Sequence, residues 1–425
     1  MRVLWLCNQE PPAVAAARRK AGSNKEGWIA GCMNAVLAHR EQDGITLAVA
    51  FPIRQDENLH GHTDEFEYYG FTEDTNHPED YDPGLTAALG LICEEFRPDV
   101  IHIFGTEYPH CLAMLRVQEW KKRAIVHLQG LMEHCAADYF GGLPEEVTSK
   151  ASFRDILRRD SLRQQKEKYE QRAVHEAEAL KLADTVCGRT AFDKAFYLGI
   201  HPDGSYHSLN ETLRSCFYEG AWMQKKCRSH SIVVPQGNIP LKGVHVMIEA
   251  LAQLKKFYPD IRLNVAGDNI LRGGGFMNAV KRCQYGKYLR KRIKELELTD
   301  NVRFMGQLKD KQMKELYLES SVFVLPSFIE NSPNSLGEAM LLGLPCVASR
   351  VGGIPSLAKE GEEVRFVEAG DAKALAAAIR EIFEYPAVAA NLAAAGHKRA
   401  MLTYDREANY RMLRWIYESV MKENA

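Results

Sequence analysis

The chain has 425 residues, of which 46% are hydrophobic, so its length predicts two globular domains and its composition excludes a disordered or membrane-spanning protein. Its 54 Lys and Arg residues nearly balance its 56 Asp and Glu residues, which leaves a formal net charge of −2. A balanced chain has no global field that attracts nucleic acid, so we predict no nucleic-acid partner and expect any anion site to be local.

The ten cysteines are scattered singly along the chain, without a CxxC pair. Several of them, such as Cys7, Cys93 and Cys346, fall in apolar runs, where a thiol behaves as a small hydrophobic group. This usage is typical of a reducing compartment and predicts a cytoplasmic protein. The first apolar run is too short for a signal peptide, and no window approaches the length of a transmembrane span.

In the first half of the chain, two patterns have residue types that can bind a metal. They are His60-Gly-His62 and Asp80-Tyr-Asp82. We expect neither to bind one, because Asp82-Pro83 is an ordinary helix start and paired histidines in a polar loop usually have no ligand. The sequence therefore predicts no metal site.

Apolar runs predict buried strands at residues 3–7, 45–51 and 99–104. The third strand ends at a polar turn, which is where open α/β sheets place their ligands. The polar side chains near this turn are candidates for contact with a substrate, and they are His102, Glu107 and His110.

The next strand ends near His127 and Gln129, and its period-two alternation puts these two side chains on one face. Residues 149–182 then form a charged stretch that predicts a solvated outer helix. Arg189 follows, and it either binds a phosphate or sugar carboxylate or forms a salt bridge. A polar connector ends the first domain near Lys226, because a new apolar strand begins shortly after it.

The second half of the chain alternates strands with helices, which predicts a doubly wound parallel sheet. The predicted strands are residues 231–235, 261–266, 301–305, 321–325 and 345–349, and the predicted helices are residues 243–257, 284–296, 310–318 and 333–343. Lys242 and Gly243 stand at the entry of the first helix, where a lysine can reach a phosphate. Asp405 is expected to cap a last amphipathic helix.

Between these elements, the run of residues 281–294 carries seven basic residues. Such a run can touch anionic lipid, although charge runs are usually solvated faces. We therefore keep a weak peripheral contact with the inner face of a membrane as an expectation. Arg272 begins a glycine-rich segment that lacks the spacing of a phosphate-binding P-loop and is expected to be a loop.

The most informative stretch runs from Ser321 to Pro355. Its strand ends at Pro326, and Pro333 is predicted as the first position of a helix capped by Asn331 or Ser332. A helix N-terminus offers unpaired N–H groups to phosphate, and the residues at that position are Asn334, Ser335 and Leu336. Glu330 and Glu338 flank this point with seven residues between them, and a carboxylate can accept hydrogen bonds from two vicinal hydroxyls.

The Glu-x7-Glu pattern lies within ENSPNSLGEAMLLGLPCVAS, is followed by VGGIP, and resembles the retaining glycosyltransferases of family four. The resemblance is specific over residues 301–355 and looser over most of the chain. Asn210, Glu211, Leu213 and Arg214 resemble a subgroup associated with polysaccharide biosynthesis. The resemblance implies an α/β GT-B fold, with two doubly wound Rossmann-like domains facing across a cleft.

The implied division of the chain has three parts. Residues 1–226 would be the acceptor-side domain, residues 227–404 the nucleotide-sugar domain, and residues 405–425 a helix that crosses back to the first domain. In the donor site, the resemblance assigns Lys242 to the diphosphate, one of the two glutamates to the transferred sugar and the other to the ribose. The other residues expected near the donor are Gly27, Gln236, Gly243, Asn334, Ser335, Leu336 and Arg189.

Two positions depart from the family pattern. Gln129 stands where many members have a histidine near the transferred sugar, and either His127 partly replaces that histidine or Gln129 supplies neutral hydrogen bonds. Gln236 stands where the family usually has an arginine, so one cation on the leaving group is missing unless Arg189 or Arg272 replaces it. Glu107 and His110 are the expected acceptor contacts, with a structural hydrogen bond as the alternative for Glu107.

The implied function is retaining transfer of a sugar from a nucleoside-diphosphate sugar, with UDP as the expected nucleotide, to a hydroxyl acceptor on a glycan or lipid-linked molecule. No metal or other cofactor is expected. The alternatives are a GT-B sugar-nucleotide epimerase, a glycosidase with paired carboxylates and a non-catalytic nucleotide-binding partner subunit. The last alternative follows from the departures at Gln129 and Gln236.

Overall fold

Two parallel sheets organise the computed structural model, which describes residues 1–19, 27–54, 59–271 and 280–424. Each sheet lies in its own compact unit. The first unit contains Met1–His134, Lys168–Leu213 and Tyr404–Ala425, and the second unit contains Cys135–Glu167 and Arg214–Thr403.

The sheet of the first unit has the order β3-β4-β2-β1-β5-β6-β7-β8 among the described residues, and its neighbours are parallel except for the antiparallel pair β3 and β4. Its strands are β1 Arg2–Leu6, β2 Thr46–Ile53, β3 His60–His62, β4 Glu67–Thr72, β5 Val100–Phe104, β6 Ala124–His127, β7 Thr185–Gly188 and β8 Ser205–Ser208. Alternate residues of β1 enter two hydrophobic clusters, with Val3 and Trp5 in one and Leu4 and Leu6 in the other. Both faces are therefore covered, as the uniformly apolar strand requires.

The helices of the first unit cover those two faces. They are α1 Pro12–Ala17, α2 Gly27–Asp43, α3 Gly84–Phe96, α4 Pro109–Leu115, α5 Met132–Ala137, α8 Leu162–Leu182, α9 Ala191–Ile200 and α17 Arg406–Glu423, of which α5 and α8 continue into the second unit. The closing helix α17 joins the core of this unit, because the Trp5 indole N–H donates to the Tyr417 hydroxyl at 3.0 Å. Asp405 caps α17 by accepting from the Ala408 amide, as the sequence predicted.

The sheet of the second unit is parallel throughout its described strands, with the order β11-β10-β9-β12-β13-β14. Its strands are β9 Ser231–Val234, β10 Arg262–Ala266, β11 Val302–Gly306, β12 Val322–Leu325, β13 Cys346–Ser349 and β14 Arg365–Val367. Its helices are α6 Glu145–Thr148, α7 Phe153–Arg158, α10 Val244–Lys255, α11 Gln284–Glu295, α12 Asp310–Glu319, α13 Asn334–Leu341, α14 Ile354–Leu357, α15 Ala372–Glu384 and α16 Pro386–Thr403. The predicted doubly wound sheet is confirmed.

The units divide between Leu213 and Arg214, ahead of the boundary predicted near Lys226. The connector, residues 214–230, belongs to the second unit, and Trp222 holds it there with two hydrogen bonds. Its amide donates to the Leu342 carbonyl at 2.7 Å, and its indole N–H donates to the Ser320 carbonyl at 2.8 Å. The solvated outer helix predicted over residues 149–182 is instead two helices, α7 and α8, with Glu176 fully buried on α8.

Across the described part of the chain, no helix combines the length and the apolar character needed to cross a membrane. The basic run is partly engaged inside the second unit. Arg282 donates to the Leu271 carbonyl, and Arg292 pairs with Glu249 and Glu295. The ion pairs offset the charge of Arg292, and Arg282 is buried, so less of the charge of the run is available to anionic lipid.

Candidate active site

The order of strands in the second sheet reverses at its centre. The chain runs outward from β9 to β10 and β11, then returns to β12 on the other side of β9 and runs outward to β13 and β14. Open α/β sheets bind their ligands outside the carboxyl ends of the strands at such a switch point. Two of the loops that carry predicted donor residues follow β9 and β12.

Lys242 and Glu330 come from these two loops and form an ion pair. The Lys242 Nζ lies 2.7 Å from Glu330 Oε1, which also accepts from the Ser327 hydroxyl at 2.8 Å. The Lys242 side chain is 22% exposed and that of Glu330 is 11% exposed. The pair is therefore held in place while still reaching solvent, which is the condition for meeting a ligand.

Two glycines let the backbones of this site approach closely. Gly243 has φ +66°, and a Cβ there would lie 1.8 Å from the Pro326 carbonyl oxygen. Gly352 has φ +50°, and a Cβ there would lie 2.1 Å from the Glu330 carbonyl oxygen, which accepts from the Gly353 amide at 3.0 Å. Any larger residue would separate the loops, so the glycines fix the Lys242–Glu330 pair.

Helix α13 begins one residue later than predicted, at Asn334. Pro333 is the N-cap in an extended conformation, and no side chain caps the helix, so the predicted caps Asn331 and Ser332 are wrong. The fixed φ of proline suits either position, and the helix simply starts after it. Of the three amides predicted to meet phosphate, that of Leu336 donates to the Pro333 carbonyl at 3.1 Å. Ser335 lies in the same first turn.

Glu338 lies on α13 with its side chain only 4% exposed, and it is held by Arg214. The Arg214 Nε and Nη2 donate to its two carboxylate oxygens, each at 2.6 Å, and Nη1 donates to Asp310 at 2.6 Å. The sequence analysis identified Arg214 only as part of a family pattern. It missed the pairing because the partners are 124 residues apart.

Gln236 is exposed just after β9 and supplies no charge. The two arginines predicted as replacements for the missing cation lie outside the described part of the second unit. Arg189 belongs to the first unit, and Arg272 with its glycine-rich segment lies outside the described residues.

In the first unit, Arg189 and Gln129 form a buried polar cluster with Glu211. Arg189 Nη1 lies 3.2 Å from Glu211 Oε2, and Nη2 donates to the side-chain oxygen Oε1 of Gln129 at 3.2 Å. The side-chain Nε2 of Gln129 donates to Glu211 Oε1 at 2.8 Å. The side chains of Arg189 and Glu211 are 3% and 4% exposed, so the salt bridge that the sequence left open for Arg189 is present.

His127 ends β6 in the interior of the first unit. Its Nδ1 lies 3.3 Å from Nε2 of His102, whose Nδ1 lies 2.7 Å from the Tyr417 hydroxyl. Burial, aided by the charge of Arg189, lowers the pKa of His127 to about 3. Its neighbours enclose a cavity of about 20 Å³, room for a water molecule and far too small for a sugar.

The two predicted acceptor contacts differ in exposure. His110 is fully buried, with Nδ1 2.7 Å from Glu73 Oε2 and Nε2 3.0 Å from Asn8 Oδ1. Glu107 accepts from the Gly130 amide at 2.7 Å, as its structural alternative predicted, and also lines a pocket of about 240 Å³. Asn8 also lines this pocket, whereas His110 does not line it and contacts Asn8 behind it.

Gly27 is the first residue of α2, and residues 20–26 before it lie outside the described part. Among the described residues, the cluster that can hold an ion is formed by His77, Glu79 and Asp80, with ligand atoms within 4.8 Å of one another. The Lys168 ammonium lies 2.7 Å from the same Glu79 oxygen that faces His77. A cation would have to compete with this ammonium.

Residues 232–399, which contain the Lys242–Glu330 pair and α13, match the family model for glycosyl transferases group 1. This segment belongs to that family. The resemblance predicted from the Glu-x7-Glu stretch is thereby confirmed for the group 1 segment, which lies wholly within the second unit.

The chain also has named relatives. The chain is similar to MMP alpha-(1->4)-mannosyltransferase of Mycolicibacterium hassiacum, 26% identical over 197 residues that cover 46% of this chain and 44% of that protein. It is also similar to amylovoran biosynthesis glycosyltransferase AmsK of Erwinia amylovora, 29% identical over 186 residues that cover 42% of each. The chain thus spans less than half the length of these curated relatives.

Solved structures match over the whole chain. Sucrose-phosphate synthase from Thermosynechococcus elongatus covers 100% of both chains with a TM-score of 0.72 at 18% identity. Anabaena HepE in complex with UDP-glucose covers 99% of this chain and 100% of its own, with a TM-score of 0.66 at 18% identity. Likeness at this identity concerns the fold, and the chain has the predicted GT-B fold.

Proposed function

We propose that this chain is a retaining glycosyltransferase that moves a sugar from a nucleoside-diphosphate sugar to a hydroxyl acceptor. The observation that carries the proposal is the Lys242–Glu330 ion pair at the switch point of the second sheet, on the same chain segment as the start of α13. We further propose UDP as the nucleotide and a glycan or lipid-linked molecule as the acceptor. HepE, named with UDP-glucose, and AmsK, named for amylovoran biosynthesis, support this choice.

The division of roles follows from charge and hydrogen-bonding capacity. The Lys242 ammonium and the N-terminal end of the α13 dipole would neutralise the diphosphate. The Glu330 carboxylate would accept hydrogen bonds from hydroxyls of the transferred sugar, and that of Glu338 would accept them from the ribose. Because Lys242 and Glu330 touch, the same ion pair would hold the diphosphate on one side and the sugar on the other.

In the proposed reaction, the bond between the anomeric carbon and the phosphate oxygen breaks, and a bond to the acceptor oxygen forms on the same face of the sugar. The departing phosphate oxygen takes the proton of the acceptor hydroxyl. No side chain has to act as general acid or base in this scheme, so catalysis rests on stabilising the charge of the leaving diphosphate. The proposal therefore involves neither a metal nor another cofactor.

A first experiment measures thermal stabilisation of the wild-type chain by UDP, GDP, ADP and dTDP, with and without EDTA. A ligand at a hundred times its dissociation constant stabilises by about 2.7 kcal/mol, so a nucleotide site should be visible. We expect one nucleotide to stabilise, independently of EDTA, and the effect to be lost in Lys242→Ala and Glu338→Ala. Stabilisation by none of the four would contradict the proposal.

A second experiment separates transfer from the other uses of a nucleotide site. The chain is incubated with the sugar nucleotide that stabilises it and with a mixture of glycan and lipid-linked acceptors, and nucleotide release and product stereochemistry are followed by NMR. Release that depends on the acceptor, with the anomeric configuration retained, is expected. Nucleotide binding without release would instead identify a non-catalytic subunit, and inversion at C2 without acceptor an epimerase.

The cellular compartment is also part of the proposal. All ten cysteines are described and carry free thiols. Burial raises the pKa of the Cys93 thiol to about 12, so it stays protonated at neutral pH. Free thiols throughout the chain support a reducing cytoplasm. A weak contact with the inner face of a membrane remains a proposal, to be tested by sedimentation with anionic vesicles.

A further inference from the structure

Arg214 links two elements of the second unit through one guanidinium group. Its Nε and Nη2 form a two-pronged contact with Glu338 on α13, and its Nη1 donates to Asp310, the first residue of α12. All three hydrogen bonds are 2.6 Å long. The loop before α12 follows β11 at a carboxyl end of the sheet, so Arg214 ties that loop to Glu338.

The contact needs an arginine. Glu338 is almost completely buried, and an ionised carboxylate is stable there only with a charged and hydrogen-bonded partner. The planar guanidinium matches both carboxylate oxygens at once and still has a third direction for Asp310, whereas a lysine ammonium is a point charge that cannot form this fork. The fork therefore fixes the rotamer of Glu338 as well as its charge.

The connector holds Arg214 in this orientation. The guanidinium carbon lies 4.7 Å from the centre of the Phe217 ring, and that ring is fully buried. Farther along, Trp222 binds the backbone of the second unit with its amide and its indole N–H. Arg214 thus projects from a segment that is anchored by contacts other than those with Glu338 and Asp310.

We propose that Arg214 is the positioning residue of the nucleoside half of the donor site. It keeps Glu338 ionised and aimed at the ribose, and through Asp310 it fixes the start of α12 relative to that carboxylate. This inference rests on the proposed function, in which Glu338 accepts from ribose hydroxyls.

The test compares two ligands that differ only at the ribose. Affinities for UDP and for 2′,3′-dideoxy-UDP are measured by calorimetry on the wild type, Arg214→Gln and Arg214→Lys. We expect Arg214→Gln to weaken UDP binding about ten- to hundredfold and to bring the two ligands to within about threefold of each other, because the charged hydrogen bonds that orient Glu338 are lost. Arg214→Lys keeps the charge without the fork, stays folded, and should lie between these values.

Arg365→Gln is the matched control. Arg365 makes the same two-pronged contact, with Glu381, in the same unit, through hydrogen bonds of 2.9 and 2.7 Å. Its loss should leave both affinities unchanged, which would show that removing a two-pronged arginine–glutamate contact from this unit does not by itself produce the expected result. If folded Arg214→Lys or Arg214→Gln keeps the wild-type preference for UDP over its dideoxy form, the inference is wrong while the proposed function stands. If the wild type binds no nucleoside diphosphate, the proposed function is wrong, and the inference that rests on it is wrong as well.

Discussion

The sequence predicts an anion-binding role for both Arg189 and Lys242, and in the structure each of them forms an ion pair with a glutamate. The Arg189–Glu211 pair of the first unit has side chains 3% and 4% exposed and is closed by Gln129, whereas the Lys242–Glu330 pair of the second unit is 22% and 11% exposed. Each pair combines a predicted anion-binding cation with a carboxylate. Exposure separates them, because a cation that binds a ligand must keep a path to solvent.

The comparison shows why residue type alone does not identify a ligand site. A buried pair pays a desolvation cost for both charges and needs every hydrogen bond that its neighbours supply. A partly exposed pair at a strand end can exchange one partner for a ligand at lower cost. We therefore assign a structural role to the Arg189 cluster and a ligand-binding role to the Lys242 pair, and the following predictions test this assignment.

Removing Arg189 should have the largest effect on stability. Arg189→Met leaves Glu211 charged and buried, so we expect the free energy of unfolding to fall by about 3–5 kcal/mol, measured by urea denaturation. The control is Arg163→Met, which removes the exposed 3.9 Å pair with Glu145 and should change stability by no more than about 1 kcal/mol. Equal effects of the two substitutions would refute the structural role of Arg189.

Lys242→Ala should have its effect on turnover rather than on folding. We expect the rate of sugar transfer to fall on the order of a hundredfold or more, since one preorganised charge on the leaving diphosphate is lost. Lys359→Ala is the control, because Lys359 pairs with Glu362 at 2.6 Å on an exposed surface of the same unit. A Lys242→Ala variant with wild-type turnover would remove the main support for the proposed site.

Acid should lower the free energy of unfolding, because each unit contains a buried histidine that is kept neutral. Burial lowers the folded-state pKa of His127 to about 3 and that of His245 to about 4, below the ordinary value near 6.5. A histidine with a lowered folded-state pKa leaves stability intact above about pH 6.5 and reduces it as the pH falls toward the folded-state pKa. Between pH 7 and pH 5, each of the two histidines should therefore lower the free energy of unfolding by about 2 kcal/mol. Urea unfolding at the two pH values tests this.

The variant His127→Gln distinguishes the contribution of His127 to this pH dependence from that of His245. It should remove the share of the pH dependence that belongs to His127 and leave the share of His245 intact. A pH dependence identical to that of the wild type would show that His127 is not kept neutral by the interior of the first unit.

The smallest expected effect concerns helix starts. Asp405 caps α17 through its side chain, with the Ala408 amide 2.6 Å away, whereas α13 begins at Asn334, after Pro333, without a side-chain cap. Asp405→Ala should lower the free energy of unfolding by about 1 kcal/mol, and Asp405→Asn should keep most of the stability because asparagine also caps. Equal losses in the two variants would indicate that the carboxylate acts by charge and not as a cap.

The sequence by itself determined the strands with clear apolar runs, the alternation of elements in the second half and the Glu-x7-Glu stretch. It did not predict the short or more polar strands β3, β4, β7, β8 and β14. Short apolar runs bounded by glycine and proline can form little other than buried strands, and Lys242 and Gly243 had to follow the first of them in the second sheet. Local signals were also sufficient for Asp405, since an N-cap contacts residues only three positions away.

Only the tertiary structure decided which polar residues face a ligand and which face each other. Arg189 and Glu211 lie 22 positions apart, and Arg214 and Glu338 lie 124 positions apart, so no local pattern could pair them. The predicted domain boundary near Lys226 differs from the observed one for a related reason. The polar connector belongs to the second unit, where the amide and the indole N–H of Trp222 donate to backbone carbonyls. A charge or a polar segment has the same appearance in the sequence whether its partner is water, a ligand or a side chain brought close by folding.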